Sequence, residues 1–391
     1  MTKIFHLRVQ RYFMFLTGQW QLKNCSKPRL LLYKICTRLI FWHYILSTQL
    51  FLASIPNFWE CKSRITELLM YYAVYNNNMF MVMLAKWSGM DNIFDFMINF
   101  EKTQMDKLKV VEKDTYMKYA KLNNGVTAFI ISGVYITSLY FYVVSIRNTF
   151  VQETSETCPL TRGTVYQIWY LFKNQYWLMV LNDLVFYNFA TIITSYRLIM
   201  TFSMTTFILG QIKMLQQNIR NLEADAKEVQ GERGIGFDEA LGVVATRCIK
   251  KHQEVTELMT MMQAATKVYV LVLYFSNSSE MAAIIIQLIM EKSFLNILRI
   301  LVITLTMTLQ LYVYYKFTNE SLAVSDLIYN DSNWMDYNKT VQRNLLFMMT
   351  RSQKHLSFRG VIIGDISMRT FTKLMKLCYS IVVFFKAAYN L

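Results

Sequence analysis

The sequence predicts an all-α membrane protein with seven transmembrane helices. Hydrophobic residues make up 54% of its 391 residues, and long apolar runs recur along the whole chain. About 20 helical residues cross the hydrocarbon core of a bilayer, so a run of about 18 or more apolar residues indicates a span. The chain has only 3 Pro and 12 Gly and shows no β-barrel alternation, which favours uninterrupted helices.

The seven predicted spans are separated by polar segments, and no linker divides the chain into soluble domains. They cover residues 40–57, 65–87, 126–146, 168 to beyond 202, 268–287, 297–315 and 371–388. Long apolar helices at this density are expected to form one membrane-embedded bundle.

Lys and Arg concentrate in alternate segments. Residues 1–38 carry basic side chains and no Asp or Glu, and segments 86–121, 197–267 and 316–359 hold most of the other Lys and Arg. Because positive loops resist translocation, this distribution places the N-terminus in the cytoplasm. Seven spans then place the C-terminus outside the cell, which is the inverse of a G-protein-coupled receptor.

The net charge of +15 has two interpretations. Nucleic-acid binding needs a clustered basic patch on a soluble fold, whereas basic cytoplasmic loops are usual in membrane proteins, and the spans favour the second. The six Cys form no CxxC pair, which argues against a zinc or redox site. Cys61 and Cys158 fall in loops predicted to lie outside, where a disulfide is permitted, and the sequence leaves their pairing open. Without HExxH, GxSxG or a Gly-rich phosphate loop, neither an enzyme nor a cofactor is predicted.

The predicted inner segments contain helices of their own. The fourth helix extends beyond the bilayer, because apolar residues recur at helical spacing at positions 212, 215, 219 and 222. A polar, glycine-containing break follows between Glu223 and Phe237, and another helix leads into the fifth span. Residues 320–351 again place apolar positions among charges. Apolar helix faces in the cytoplasm need another apolar surface to pack against, which indicates an intracellular helical bundle or a subunit interface.

Aromatic and polar residues are concentrated in the outer half of spans two, three and four. Aromatic walls with a few hydrogen-bonding groups can hold a small apolar ligand, whereas single aromatics at this depth are ordinary interfacial residues. Asn76 and Asn188 remain open between a polar spot in a cavity and an interhelical hydrogen bond. The candidate ligand-binding residues are Tyr72, Tyr75, Asn76, Ser138, Phe141, Tyr142, Trp177, Leu181 and Phe186.

The last span differs from the others in its charges. Lys373 and Lys376 lie near its start and Lys386 near its end, and a strongly apolar stretch separates them. A charged–apolar–charged helix suits a pore lining, with a vestibule at each end of a hydrophobic constriction. It also suits a helix whose lysines reach to both membrane interfaces. The physical pattern leaves both interpretations open.

The C-terminal part of the chain carries a set of motifs. Ser325, Tyr329 and Trp334 occur in the order SxxxYxxxxW, and a second group follows in the pattern LLxxMxRSQK: Leu345, Leu346, Met349, Arg351, Ser352, Gln353 and Lys354. A third group is Phe371, Lys373, Lys376, Tyr379 and Ser380, and upstream residues that also fit are His252, Gln253, Gln211 and Leu215. On these residues the chain resembles the insect odorant receptor family. It departs from the family pattern at His355 and around residues 316–318.

The resemblance implies a function and an assembly. Such receptors are odorant-gated, non-selective cation channels in the plasma membrane of olfactory sensory neurons, where a tuning subunit and a common co-receptor form a hetero-tetramer. The resemblance divides the chain into a cytoplasmic segment (1–38), six helices with a small-volatile pocket in their outer half (39–315), intracellular anchor helices (316–365) and a pore-lining helix (366–391). Its implied pore residues are Lys376, Ser380, Val383, Phe384 and Ala388. The second intracellular loop is short, as in a tuning subunit. The resemblance also implies contact with membrane lipid and no binding of nucleic acid.

Three other functions would leave different marks in the sequence. A gustatory-type channel would place Gln where Phe385 lies and Thr where Cys378 lies. A G-protein-coupled receptor would carry a DRY-like triplet after span three and NPxxY in span seven. A transporter would contain paired broken helices, and the scarcity of Pro and Gly argues against such helices. Glycosylation sequons offer a check on topology: Asn277 is predicted near the outer face, and those predicted inside are Asn24, Asn319, Asn330 and Asn338.

Overall fold

A computed structural model describes residues 6–10, 14–15, 26–54, 62–151, 176–290, 294–362 and 364–389. Its helices, in chain order, are α1 (Lys27–Ser54), α2 (Lys62–Trp87), α3 (Met90–Thr103), α4 (Val110–Val151), α5 (Tyr176–Arg220), α6 (Leu222–Arg233), α7 (Phe237–Met290), α8 (Phe294–Asp331), α9 (Lys339–Ser352) and α10 (Met368–Tyr389). A 3-10 turn (Trp334–Asp336) precedes α9, and a small hairpin of β1 (Arg359–Gly360) and β2 (Gly364–Asp365) precedes α10. Cys61 and Cys158 lie outside the described residues.

The predicted spans fall on helices α1, α2, α4, α5, α7, α8 and α10 wherever the chain is described. Within the described part, three helical segments are long and apolar enough to cross a bilayer by length and composition: Leu184–Arg220, Phe237–Ile286 and Asn296–Asp331. The prediction of an all-helical fold built on long apolar helices is confirmed.

Four helices are far longer than a membrane crossing requires. α4, α5, α7 and α8 contain 42, 45, 54 and 38 residues, whereas about 20 suffice to cross the bilayer. At 1.5 Å per residue, α7 is about 80 Å long. The surplus turns meet α3, α6 and α9 in a second layer. We call this layer the extension bundle, formed by α3, α6, α9 and residues 110–125, 203–220, 237–267 and 316–331.

Helix α5 is the centre of the molecule. It packs against α1, α2, α4, α7 and α8, and nearly every residue from Ala190 to Leu215 is buried or almost buried. A helix that is mostly apolar on every side must be covered by other helices or by lipid, and here other helices cover it. Helix α5 therefore connects the membrane layer to the extension bundle.

Helices α3 and α6 were not predicted from the sequence. The helix α3 begins after Gly89, whose φ of 77° is in the left-handed region, and buries an apolar stripe that includes Ile93, Phe94 and Met97. The helix α6 occupies most of the predicted polar break, so that prediction was wrong in length. The true break comprises residues 234–236, where Gly234 has φ 64° and ends the helix. Helix α6 buries few apolar side chains, which explains why its pattern was weak.

Part of the N-terminal segment is buried in the extension bundle. The backbone N–H of His6 donates to Glu101 Oε1 at 2.6 Å, and its ring lies 3.0 Å from the carbonyl O of Ser203. Gln10 Nε2 donates to Ser203 Oγ and to Thr127 Oγ1 at 2.9 and 2.7 Å. This segment therefore packs against α3, α4 and α5.

The hairpin before α10 is fixed by one carboxylate. Asp365 Oδ1 accepts from Ser357 Oγ at 2.7 Å and from Arg359 Nε at 2.6 Å, and the carbonyl O of Asp365 accepts from Thr370 Oγ1 at 3.0 Å. Burial alone would raise the pKa of Asp365, but these hydrogen bonds and the Arg359 charge lower it overall, so the carboxyl stays ionised. The hairpin thus holds the first turn of α10 in place.

Candidate ligand site and candidate pore helix

An aromatic cluster joins α1, α2 and α5 within the membrane layer. The rings of Tyr44 and Phe186 stack at 5.2 Å between centroids, and Tyr75 meets Phe186 edge-on at 5.2 Å. Tyr44 Oη donates to the carbonyl O of Tyr75 at 3.1 Å. All three side chains are buried. The sequence identified Tyr75 and Phe186 but missed Tyr44, because only spans two, three and four were predicted to form the aromatic wall, although Phe41 and Tyr44 are spaced as neighbours on one helix.

The other predicted ligand residues differ in their position and exposure. Tyr72 Oη donates to Gln49 Oε1 at 3.4 Å, and Gln49 Nε2 donates to Asn76 Oδ1 at 3.2 Å, so Tyr72 and Asn76 join α2 to α1 at the edge of the bundle. Leu181 is 58% exposed and is not brought into the aromatic cluster. The side chains of four further candidates are outside the described set: Ser138, Phe141, Tyr142 and Trp177.

Three consecutive asparagines on α2 contact three different helices. Successive side chains of a helix are about 100° apart, so each faces a different neighbour. Besides the bond of Asn76 to α1, Asn77 Nδ2 donates to Ser276 Oγ on α7, and Asn78 Nδ2 donates to Thr194 Oγ1 on α5 at 2.8 Å. Asn76 is therefore part of an interhelical hydrogen-bond set. Asn188 instead donates to the carbonyl O of Leu184, one turn back in its own helix.

A buried ion pair links α5 to α7. Arg197, 1% exposed, donates through Nη2 to Glu280 Oε2 at 2.9 Å and through Nη1 to Ser276 Oγ at 2.8 Å. Tyr269 Oη donates to the carbonyl O of Arg197 at 3.1 Å. Charge patterning had assigned Arg197 to the start of an inner loop, and that assignment was wrong, because Glu280 neutralises it inside the bundle. A charge within a long apolar run indicates that a partner is needed, but the sequence does not identify which one.

Some buried polar atoms in this layer have no partner among the described residues. Asn277 is 1% exposed, and neither atom of its amide is hydrogen-bonded; the same holds for Ser47 Oγ. Buried polar groups normally find a partner, so these atoms can accept or donate a bond to water or a ligand. The burial of Asn277 also means that its NSS sequon is not an accessible acceptor for a sugar.

Helix α10 has one packed face and one open face. Leu374 and Cys378 are buried, and Cys378 contacts Met281 and Ala282 of α7. The opposite face is exposed and carries Lys376, Ser380, Val383 and Ala387. Phe384, 68% exposed, lies at the side of this face. Ala388 is within the helix, and its side chain is not among those described.

The motif residues of the C-terminal half meet in the extension bundle. Ser352 Oγ, from the RSQK motif on α9, lies 3.1 Å from His252 Nε2, from the upstream motif on α7. Burial lowers the pKa of His252, and the nearby Arg351 charge lowers it further. Lys251 Nζ donates to Gln211 Oε1 at 2.7 Å, which ties α7 to α5. These residues therefore join α5, α7 and α9.

No group of three or more His, Cys, Asp or Glu suitable for a metal ion occurs among the described residues. Buried aromatic rings beside interhelical hydrogen bonds suit binding of a small, mostly apolar molecule. An amphipathic helix with an open face suits contact with water or with other subunits.

Comparison with known proteins agrees with this arrangement. A family model described as 7tm Odorant receptor matches residues 61–379. Odorant receptor Or2 of Anopheles gambiae is 21% identical over 193 residues, which are 48% of this chain and 50% of that protein. The chain thus spans about half the length of the curated relative it matches.

Solved structures match over nearly the full length. Olfactory receptor OR5 from Machilis hrabei has a TM-score of 0.72 at 13% identity, covering 97% of this chain and 98% of that one. The same receptor in complex with eugenol has a TM-score of 0.70 at 14% identity, with equal coverage. At these identities the structural likeness shows the fold, and the family match covers most of the chain. This membrane protein therefore belongs to the seven-transmembrane odorant receptor family of insects.

Proposed function

We propose that this receptor is a subunit of an odorant-gated, non-selective cation channel in the plasma membrane of olfactory sensory neurons. The observation that carries the proposal is the two-faced helix α10. Its packed face rests on α7, and its open face aligns Lys376, Ser380 and Val383. Several copies of such a helix around an axis form a pore with charged ends and an apolar constriction. Ala387 continues this face, so it joins Phe384 and Ala388 as a candidate lining residue.

The proposed ligand is a small volatile molecule held in the outer half of the membrane layer, among α1, α2, α5 and α7. The cluster of Tyr44, Tyr75 and Phe186 supplies apolar ring surface, and Ser47 and Asn277 supply unpaired polar atoms. A relative of the same fold was solved with eugenol, an aromatic molecule with oxygen substituents. Ligands with one aromatic ring and one hydrogen-bonding group fit these features best.

The proposed assembly is a hetero-tetramer with a co-receptor subunit. The extension bundle leaves large apolar side chains exposed, including Phe347, 65% exposed, and Leu346, 51% exposed. Exposed apolar patches on a protein layer outside the membrane indicate contact with partner chains. The short connection between α6 and α7 supports a tuning subunit. Membership in the odorant receptor family sets aside the gustatory-type and G-protein-coupled alternatives.

Recording odorant-evoked currents with and without a co-receptor tests the channel proposal. In the co-expressed channel, Val383→Cys should make the current sensitive to a charged thiol reagent. Ile381→Cys, which lies toward α7, should not, and the unsubstituted chain controls for native thiols. Surface expression without current to a broad odour panel, or equal modification at both positions, would contradict the proposal.

The proposed orientation has the N-terminus in the cytoplasm and the C-terminus outside. An epitope at the C-terminus should be labelled on intact cells, and an N-terminal epitope only after permeabilisation. Asn319 and Asn330 are exposed on α8, yet they should carry no sugar, since glycosylation occurs on the lumenal side. A glycan on either residue would overturn the orientation.

A further inference from the structure

A basic cleft lies between α4, α5 and α8, away from the aromatic cluster and from α10. Its volume is about 480 Å³. The charged residues that line it are Lys118, Lys213, Arg220, Lys316 and Glu320. Thr115 Oγ1 donates to Gln217 Oε1 at 2.7 Å, which leaves the N–H groups of Gln217 and Asn221 as neutral donors in the wall. The cleft therefore combines cations with neutral donors, which is the combination that a phosphate group requires.

The positive charge of the cleft is only partly neutralised. Lys213 forms an ion pair with Glu320, and Arg220 Nε lies 3.3 Å from Asp331 Oδ2. Burial alone would raise the pKa of Glu320, but hydrogen bonds from Lys213 and Gln216 lower it overall, so this carboxylate is already committed. Among the described residues, neither Lys118 nor Lys316 has a carboxylate within ion-pair distance. The charge of Lys316 helps to lower the pKa of Glu320 without forming an ion pair, so the ammonium N–H groups of Lys118 and Lys316 are both available to an external anion.

The cleft begins where the apolar part of α8 ends. The predicted span 297–315 is followed directly by Lys316, and the two tyrosines just before it, Tyr312 and Tyr315, are 54% and 49% exposed. Exposed Tyr at the end of an apolar helix marks the level of lipid headgroups. Phosphate-bearing headgroups would therefore reach the cleft without leaving the bilayer.

We propose that this cleft binds a phosphorylated anionic ligand, and that its source is the headgroup of an anionic lipid in the leaflet facing the extension bundle. Lys118 and Lys316 would contact phosphate oxygens directly. Lys213 and Arg220, held by Glu320 and Asp331, would define the far wall. A phosphorylated inositol headgroup has both the negative charge and the hydroxyl groups that the amide and hydroxyl side chains of this cleft can bind.

The test measures ligand-induced thermal stabilisation of the full-length protein in a neutral detergent. Four probes separate the sources: short-chain phosphatidylinositol bisphosphate, soluble inositol trisphosphate, inorganic phosphate and short-chain phosphatidylcholine. The variant Lys118→Gln/Lys316→Gln should bind the bisphosphate lipid about 25-fold more weakly, because each lysine near an anionic headgroup contributes about fivefold. The variant Lys118→Arg/Lys316→Arg should retain binding.

A matched control removes two exposed lysines of the extension bundle that lie outside the cleft, Lys227→Gln/Lys339→Gln, and it should keep wild-type affinity. Stronger binding of the lipid than of inositol trisphosphate supports the lipid source, and equal binding assigns the cleft to a soluble phosphate. Binding that is unchanged in the Lys118→Gln/Lys316→Gln variant, lost equally in the control, or absent for every phosphorylated probe overturns the proposal.

Discussion

Helices α5 and α10 differ in how much of their surface is covered by the rest of the chain. Helix α5 is enclosed by five other spanning helices, and its side chains from Ala190 to Leu215 are buried almost without interruption. Helix α10 rests mainly on α7 and α8 and leaves about half of its surface open. A single chain therefore covers its central helix completely but leaves one side of its last helix uncovered. Substitutions in α5 should therefore act on folding, whereas those on the open face of α10 should act on function.

The largest expected effect comes from unpairing Arg197. Glu280→Ala leaves a buried guanidinium without its carboxylate and should destabilise the protein by about 3–5 kcal/mol. Thermal unfolding of detergent-purified protein and the amount at the cell surface measure it. Glu257→Ala, at an exposed position on the same helix, is the control. The double variant Arg197→Met/Glu280→Leu should be more stable than Glu280→Ala; equal stability would argue against a charge-based loss.

A pair of phenylalanine truncations compares the two helices directly. Phe207 of α5 is fully buried, with its ring 5.6 Å from that of Phe100 and 6.1 Å from that of Tyr116. Phe207→Ala should cost about 3–5 kcal/mol. Phe384→Ala, at a 68% exposed position, should change the unfolding free energy by about 0.5 kcal/mol or less and alter the odorant-evoked current. Similar destabilisation by both truncations would show that α10 contributes to folding as α5 does.

A smaller effect is expected at the hairpin that leads into α10. Gly364 has φ 76°, a conformation that costs an L-residue about 1–2 kcal/mol, so Gly364→Ala should lower stability by that amount. No heavy atom lies within 4 Å of the added Cβ, so the cost is backbone strain. Gly231→Ala in α6 adds a Cβ in open space on a regular helix and should stabilise by about 0.5–1 kcal/mol. Equal effects of the two substitutions would refute the strain argument.

The smallest effect concerns pH and the attachment of α9 to α7. The pKa of His252 is below 6.5 in the folded chain, because burial disfavours its charged form. Below pH 6.5 the unfolded chain therefore binds a proton at His252 more readily than the folded chain does. The free energy of unfolding consequently falls as the pH drops from 6.5 through the lowered pKa. His252→Gln should weaken the loss of thermal stability between about pH 7 and pH 5. Parallel pH profiles for wild type and variant would count against it.

Much of the fold was predictable because membrane crossing imposes a strong apolar pattern, and each predicted span lies on a helix where the chain is described. The extension bundle was only half predictable. Helix α6 buries only a narrow apolar stripe, so its pattern in the sequence is weak. Helix α3 lies in a segment that is rich in charged residues, although apolar residues recur at helical spacing at positions 90, 93, 94 and 97. Partner choice between helices was beyond the sequence: nothing in a run of three asparagines says which neighbour each one contacts, and nothing local joins Arg197 to Glu280.

Helix α7 carries a mechanical consequence. It is a single continuous helix of 54 residues without a proline, so the commonest cause of a sharp kink is absent. One part contacts Cys378 of α10, and another forms the His252 contact with Ser352 of α9. A tilt of about 5° at one end of such an 80 Å rod displaces the other end by about 7 Å. A small rearrangement around an odorant would in this way produce a larger displacement in the distant extension bundle.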